Sequence, residues 1–429
     1  MRIAAVAVAL ATLAGGGVLA WSLTHGGGSG GSGGTGGSAA KGGSSGPAAQ
    51  AGSDSAGATT VVIGVAAPLS GSLSALGLGI KNSADLAVKK ANRTHEVPGV
   101  TFELQALDDQ AQPATGQQNA TRLVGDAKVL GVVGPLNSSV AQAMLGVLDP
   151  AGLTDVSPAN TNPLLSQGPD WAKGVKARPH PSYFRTVATD AAQGPYAAQY
   201  LYQDARKTRL FVIDDNGTYG SGIAAAAGGQ FTRLGGTVVG TEHVKPDDRD
   251  FTALAAKVAA AGADAVYYGG EYPAAAPLSQ QLKQAGVNVP LMGGDGIYAA
   301  EFVSGNTKAE GDLATAVGAP ADLLSGGRIF QADYAAAGYS EEAGAYGAYA
   351  YDAAWSVIEA VKAVVAANGG TLPAGARAKV TTAMAAVAFD GVTGRVDFDE
   401  YGDTVNRQLT VYSVKNGSWT PVRTGSYKP

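Results

Sequence analysis

Cysteine is absent from this chain of 429 residues. Its absence excludes disulfide bonds, thiol catalysis, cysteine zinc sites and iron–sulfur clusters. Histidine is scarce as well, and none of its four residues, His25, His95, His180 and His243, has the spacing of a metal-ligand pair. Charged residues make up 15% of the chain, and the formal net charge of −5 gives no general attraction for nucleic acid or anionic lipid.

The usual catalytic motifs are missing too. The sequence contains neither a His-Glu-x-x-His motif nor a phosphate loop that ends in Gly-Lys-Ser or Gly-Lys-Thr. The Gly-x-Ser-x-Gly matches fall in a Gly/Ser-rich stretch, where composition alone produces them. The loop 217–222 has glycines between a strand and a helix, but their spacing differs from that of a dinucleotide fingerprint. We therefore expect a binding protein that is not an enzyme and holds no metal or cofactor.

Glycine, in contrast, is about twice as frequent as the usual ~7%, with 62 residues. Much of the excess lies in 26–46, so that 26–58 is predicted to be a flexible linker. The apolar run 3–23 lies ahead of it, and 1–25 is predicted to be either a signal peptide or a membrane anchor. Gly16 stands where a bacterial lipobox has its lipidated cysteine, so attachment to a membrane has to come from the apolar run itself.

From Thr59 onward, buried-strand patterns alternate with helical ones. Val61 to Ala67 and Val129 to Val133 read as strands, and Ser138 to Leu148 reads as a helix. This alternation is predicted to continue to the end of the chain. It indicates an α/β fold with two parallel sheets, each covered by helices on both faces.

Ligands of open parallel sheets bind beyond the carboxyl ends of the strands. Several loops at predicted strand ends combine glycine or proline with a hydroxyl or carboxylate. Ser138 and Ser139 also open a predicted helix, whose free N–H groups suit a carboxylate. The alternative is that both serines are ordinary N-caps. The loops concerned are 68–77, 134–139, 157–161, 214–222, 269–272 and 293–296.

Several short segments, taken in their order and spacing, resemble one family. Residues 60 to 423 resemble the type I periplasmic-binding proteins of branched-chain amino acid (leucine/isoleucine/valine) ABC transporters. The resemblance implies two doubly wound lobes joined by three crossings near Asp190, Ala319 and Asp390, with lobe 1 at 59–190 and 320–389 and lobe 2 at 191–319 and 390–429. The segments that carry it are 67–71, 108–109, 134–139, 157–161, 219–222, 250–251 and 267–270.

The resemblance also implies a set of ligand contacts. Ser138 and Thr161 would hold the carboxylate of an amino acid, and Asp295 would pair with its ammonium. Leu136 and the Ala159 carbonyl would line the first lobe, and Tyr219 would close over the ligand from the second. Such a cleft matches both charges of a zwitterion that has lost its water.

Two residues depart from the family pattern, in which their positions are commonly aromatic. Leu76 keeps its part of the pocket apolar. Glu271 is open to three interpretations: it shares the ammonium with Asp295, it selects a polar or cationic side chain, or it faces outward. The segment 169–182 is longer than the family norm, and no role is assigned to it.

The function expected from the resemblance is extracytoplasmic capture of an amino acid, branched-chain or otherwise aliphatic, and its delivery to an ABC permease. The partners are then the ligand, the permease and, if residues 1–25 stay uncleaved, the membrane. A second hypothesis keeps the fold and makes the chain a sensor for an amide or another small metabolite.

Overall fold

The structure is a computed structural model that describes residues 58–428. The predictions for the leader at 1–25 and for the linker at 26–58, apart from its last residue, lie outside the described residues. The first strands and helices alternate as predicted, because continuous apolar runs such as Val129 to Val133 are buried on both faces. They are β1 Thr59–Ala67, α1 Ser74–Thr94, β2 Val100–Asp108, α2 Pro113–Gly125, β3 Val129–Val133, α3 Ser138–Leu148, β4 Thr154–Ser157, α4 Leu164–Gln167 and β5 Tyr183–Arg185.

These five strands form one parallel sheet in the order β2-β1-β3-β4-β5. The strand order reverses between β1 and β3, and this is the place where such sheets bind ligands. The loops after β1 and β3, which lead into α1 and α3, therefore border the same crevice.

A second series of strands and helices repeats the pattern. Its parallel strands have the order β7-β6-β8-β9-β10, so that the loops after β6 and β8 border the equivalent crevice. The series consists of α5 Asp190–Gln199, which ends in a π-turn at Tyr200–Asp204, β6 Arg209–Asp214, α6 Thr218–Arg233, β7 Thr237–His243, α7 Thr252–Ala261, β8 Ala265–Gly269, α8 Tyr272–Gln284, β9 Leu291–Gly293, a 3-10 turn at Asp295–Ile297, α9 Ala300–Ser304 and β10 Leu313–Val317.

The chain then returns to the first sheet. Of the three helices α10 Ser325–Ala337, α11 Gly347–Ala367 and α12 Ala376–Met384, α11 packs against α1 and β3. We call the first sheet with the helices packed on it lobe 1, and the second sheet with its helices lobe 2. The two-sheet α/β prediction is confirmed.

The C-terminal part of the sequence prediction is wrong. After Met384 no helix follows within the described residues, and four strands come in succession: β11 Ala388–Gly391, β12 Gly394–Asp397, β13 Gln408–Lys415 and β14 Ser418–Ser426. Strands β13 and β14 add an antiparallel edge to the second sheet beside β10. Asn416 and Gly417 both have positive φ, as the two-residue turn of a hairpin requires.

The last passage between the lobes lies beyond its expected position. Asp390 belongs to the hairpin β11–β12, which is still attached to lobe 1 because Asp352 of α11 accepts bonds from the Val392 and Thr393 amides at 2.9 Å. The chain reaches lobe 2 between Asp397 and Gln408. The domain ranges as a whole stay predictions.

Candidate functional site

The loops at the two strand-order reversals meet around a cavity between the lobes. Lobe 1 contributes apolar side chains and the start of α3, whereas lobe 2 contributes mainly polar groups. The lining residues are Leu76, Leu136, Asn137, Ser138, Ala159, Tyr219, Glu271, Gly296 and Tyr346. Six of the nine residues predicted for the site line this cavity.

Ser138 is the first residue of α3 and is buried at the cavity wall. Its position is helical, and the N-cap is Asn137, whose side chain makes no capping bond. The geometry therefore disagrees with the N-cap alternative. The first N–H groups of a helix have no acceptor within it, so the start of α3 presents donors to the cavity. Ser139 follows in the same turn and is not part of the cavity wall.

Thr161 is buried on the loop after β4, behind the cavity wall. Its hydroxyl lies beside the carboxyl of Asp190. The backbone on both sides of Thr161 is held by Arg185, whose guanidinium donates to the carbonyls of Asn160 at 2.7 Å and Asn162 at 3.0 Å. Arg185 itself is fully buried and forms an ion pair with Asp403 at 2.7 Å. The buried Arg185 side chain thus holds the loop that carries Thr161 in place.

Asp295 lies just behind the cavity on lobe 2 and is 1% exposed. Its carboxylate accepts three hydrogen bonds, from Tyr219 Oη at 2.9 Å, Gln193 Nε2 at 3.0 Å and Tyr346 Oη at 2.9 Å. Burial raises the pKa of Asp295, and these three donors counteract the rise. Tyr219 and Tyr346 themselves line the cavity, so these two tyrosines connect Asp295 to it by hydrogen bonds.

Tyr346 and Asn137 are cavity residues that the sequence prediction missed. Tyr346 directly precedes α11 and comes from lobe 1, more than 180 residues after Ala159. It follows no strand, so the rule that points to strand ends cannot find it. Asn137 lies inside a predicted loop, and its position next to Ser138 is the signal that marks it.

Glu271 caps the start of α8 and faces the cavity. Its Oε1 accepts a hydrogen bond from Asn137 Nδ2 at 2.8 Å, which joins the two lobes. The geometry therefore disagrees with the outward-facing interpretation. Burial raises the pKa of Glu271 to about 8, and the neighbouring Asp215 carboxyl, which is within hydrogen-bond reach, adds to the rise.

Three further hydrogen bonds connect the lobes around the cavity. Asn162 Nδ2 donates to the Thr218 carbonyl at 2.5 Å, and Thr218 Oγ1 donates to Gln142 Oε1 at 3.2 Å. On the other side of the cavity, the Tyr272 hydroxyl donates to the Ser72 carbonyl. The lobes are thus closed upon each other.

A family model described as "Periplasmic binding protein" matches residues 60–418. The chain belongs to the periplasmic binding protein family. Among its relatives, the Leu/Ile/Val-binding protein BraC3 of Rhizobium johnstonii is 30% identical over 83% of this chain and 92% of its own length. The Leu/Ile/Val-binding protein homolog 3 of Brucella melitensis is 35% identical over 62% of this chain and 69% of its own length.

Solved structures of periplasmic binding proteins share the fold. The branched-chain amino acid transporter substrate binding protein LivJ from Streptococcus pneumoniae, in complex with isoleucine, is similar with a TM-score of 0.74 and 27% identity over 86% of this chain and 100% of LivJ. The leucine binding protein LivK from Thermotoga maritima has a TM-score of 0.74 and 27% identity, over 85% of this chain and 98% of LivK. The resemblance stated from the sequence is confirmed.

In residues 58–428 no helix has both the length and the apolar character needed to cross a membrane. Within the same residues, no three histidine or acidic side chains cluster as metal ligands do.

Proposed function

We propose that this periplasmic binding protein captures an amino acid between its lobes and delivers it to an ABC permease, without converting it. The observation that carries the proposal is the opposite character of the two ends of the cavity. Helix α3 presents N–H groups and the Ser138 hydroxyl at one end, and the buried Asp295 carboxylate lies behind the other. A zwitterion without water needs both.

The carboxylate of the ligand is proposed to bind at the start of α3, with Thr161 and Ser139 close behind. A carboxylate gains there from the helix dipole and from charge-assisted hydrogen bonds. The clamp of Arg185 on the loop of Thr161 supports a binding site whose geometry exists before the ligand arrives.

The ammonium of the ligand is proposed to pair with Asp295. The hydroxyls of Tyr219 and Tyr346, which now donate to Asp295, line the cavity and would rotate to admit it. The carbon chain of the ligand would pack against Leu76 and Leu136, which suits an aliphatic stem. The names of the relatives that bind leucine, isoleucine and valine support the same class.

Binding energy is proposed to close the lobes, and the permease then recognises the closed form. A ligand that contacts both lobes binds the closed form better than the open form and shifts the equilibrium toward it. Residues 1–25 are proposed to direct export, either as a cleaved signal or as a retained anchor; both alternatives rest on the sequence alone.

Calorimetric titration with the twenty amino acids tests the proposal. Saturable binding is expected, weakened about tenfold in Ser138→Ala and about 100-fold in Asp295→Asn, because each substitution removes a partner of one ligand charge. The exposed Asp322→Asn is a matched control and should bind like the wild type. The absence of heat with every amino acid would refute the proposal.

A further inference from the structure

A second cavity lies beside the first, and Glu271 is part of the wall of both. Ser72 and Leu73, from the loop after β1, form the lobe 1 side of this second cavity. Its lobe 2 side consists of Pro246, Tyr268, Glu271, Pro273 and Ala274. Glu271 therefore separates two spaces between the lobes.

Unpartnered polar groups surround Glu271 at this junction. Tyr268 is 0% exposed and lines the second cavity, and its hydroxyl has no hydrogen-bond partner among residues 58–428. Asn137 lines the first cavity, and its buried Oδ1 atom has no partner among those residues either. Buried polar atoms are nearly always paired in folded proteins, and a ligand with a hydrogen-bond donor at this junction would give both atoms a partner.

The backbone at Gly270 brings the same groups together. A Cβ atom at this position would lie 2.4 Å from Tyr268 Oη and 2.9 Å from Asp215 Oδ2. The Tyr268 hydroxyl and the Asp215 carboxyl thus converge on the residue directly before Glu271. We call the group formed by Asn137, Asp215, Tyr268 and Glu271 the Glu271 pocket.

No cation of the described residues balances this group. None of the ion pairs within 58–428 includes Asp215, Glu271 or Asp295. Arg249 lies nearby, but its guanidinium donates to the carbonyls of Pro246 and Asp248 at 3.0 and 2.7 Å. Asp215 raises the pKa of Glu271, whereas the hydrogen bond from Glu271 lowers the pKa of Asp215, so the proton of the pair lies on Glu271 and the negative charge on Asp215.

An all-carbon side chain in the first cavity leaves that charge unmatched, and this is costly in a site without water. A nitrogen that carries hydrogen removes the cost, because it can donate to Glu271, Asn137 Oδ1 and Tyr268 Oη together. We propose that the Glu271 pocket binds a nitrogen-centred donor at the far end of the ligand's aliphatic stem, so that the ligand class is an amino acid with a cationic side chain.

This inference rests on the proposed function, since the α-carboxylate and α-ammonium of the ligand are held at Ser138 and Asp295. The inference narrows the class of ligand to amino acids whose side chain has an aliphatic stem and a polar, cationic end. Glu271 is then the residue that determines specificity.

The test compares lysine with norleucine, which has the same carbon stem and lacks the terminal ammonium. In calorimetric titrations the wild type is expected to bind lysine at least about tenfold more tightly than norleucine, and leucine is expected to resemble norleucine. Glu271→Leu is expected to abolish this preference, so that lysine and norleucine bind with about equal affinity. Glu271→Gln, which keeps an acceptor and loses the charge, should retain part of it. Glu310→Leu, an exposed carboxylate of lobe 2, is the matched control.

The outcomes separate the two proposals. If the wild type binds norleucine as tightly as lysine or more tightly, the proposal for the Glu271 pocket is overturned. The proposal of amino acid capture is not affected by that result. A lysine preference that persists in Glu271→Leu, in protein whose thermal unfolding is still cooperative, overturns the proposal for the Glu271 pocket as well. If no amino acid binds to the wild type, the proposed function fails and the inference fails with it.

Discussion

Two buried aspartates, Asp295 and Asp155, differ in the number of hydrogen-bond donors around their carboxyl groups. Asp295 accepts bonds from three side chains. Asp155, on β4, is 0% exposed, and neither of its carboxyl oxygens has a partner among residues 58–428. Donors surround the carboxylate that is proposed to bind ligand, whereas no donor among the described residues reaches the carboxyl group in the sheet.

Asp155 makes stability depend on pH. Burial raises its pKa well above the ordinary value, so the folded chain holds its proton more tightly than the unfolded chain does. A raised carboxyl pKa costs stability as pH rises from about 4 toward the folded pKa. We therefore expect Asp155→Asn to be more stable than the wild type at pH 7, by about 1 to 3 kcal/mol, and to gain less at pH 4.

Urea unfolding at both pH values measures this difference. The exposed Asp322→Asn serves as control and should change little at either pH. A stabilisation by Asp155→Asn that is equal at pH 4 and pH 7 would contradict the assignment.

The loop between β8 and α8 positions Glu271 and depends on glycine. Gly270 has a φ of 154°, and a Cβ there would collide with the Tyr268 hydroxyl. We expect Gly270→Ala to lower stability by about 1 to 3 kcal/mol, because it adds a clash to backbone strain, and to weaken ligand binding as Glu271 is displaced.

Gly286→Ala is the matched control for this substitution. Gly286 also has a positive φ, of 85°, but no atom lies within 4 Å of its Cβ position, so only the backbone strain is added. Thermal unfolding and calorimetric titration of both variants are compared. Unchanged ligand affinity in Gly270→Ala would show that the loop does not position the site.

At the scale of secondary structure, the long periodic segments were predictable and the short ones were not. Helix α3 and strand β3 have the bounds that their apolar patterns indicate. Strands β5 and β9 have only three residues each, too few to show a period. The sequence Asn416-Gly417 is a hairpin signal between β13 and β14. The prediction of continued strand–helix alternation did not take it into account.

At the scale of the whole molecule, both lobes have the same arrangement of parallel strands. Each lobe reverses its strand order at the loops that face the other lobe, so the cavity is assembled from strand ends distant in sequence. The strand-end rule could predict the loops that carry Ser138 and Tyr219, and the family resemblance assigned Tyr219 its place over the ligand. Both missed Tyr346, because only the packing of α11 on lobe 1 brings that residue to the cavity.

Capture of an amino acid by this protein is the central claim, and native mass spectrometry of the purified protein tests it most directly. The result we predict is one added mass per chain that equals an amino acid and disappears when the protein is unfolded. The same mass should be absent from Asp295→Asn purified in parallel. A wild-type chain that carries no added mass, even after incubation with all twenty amino acids, would contradict the account.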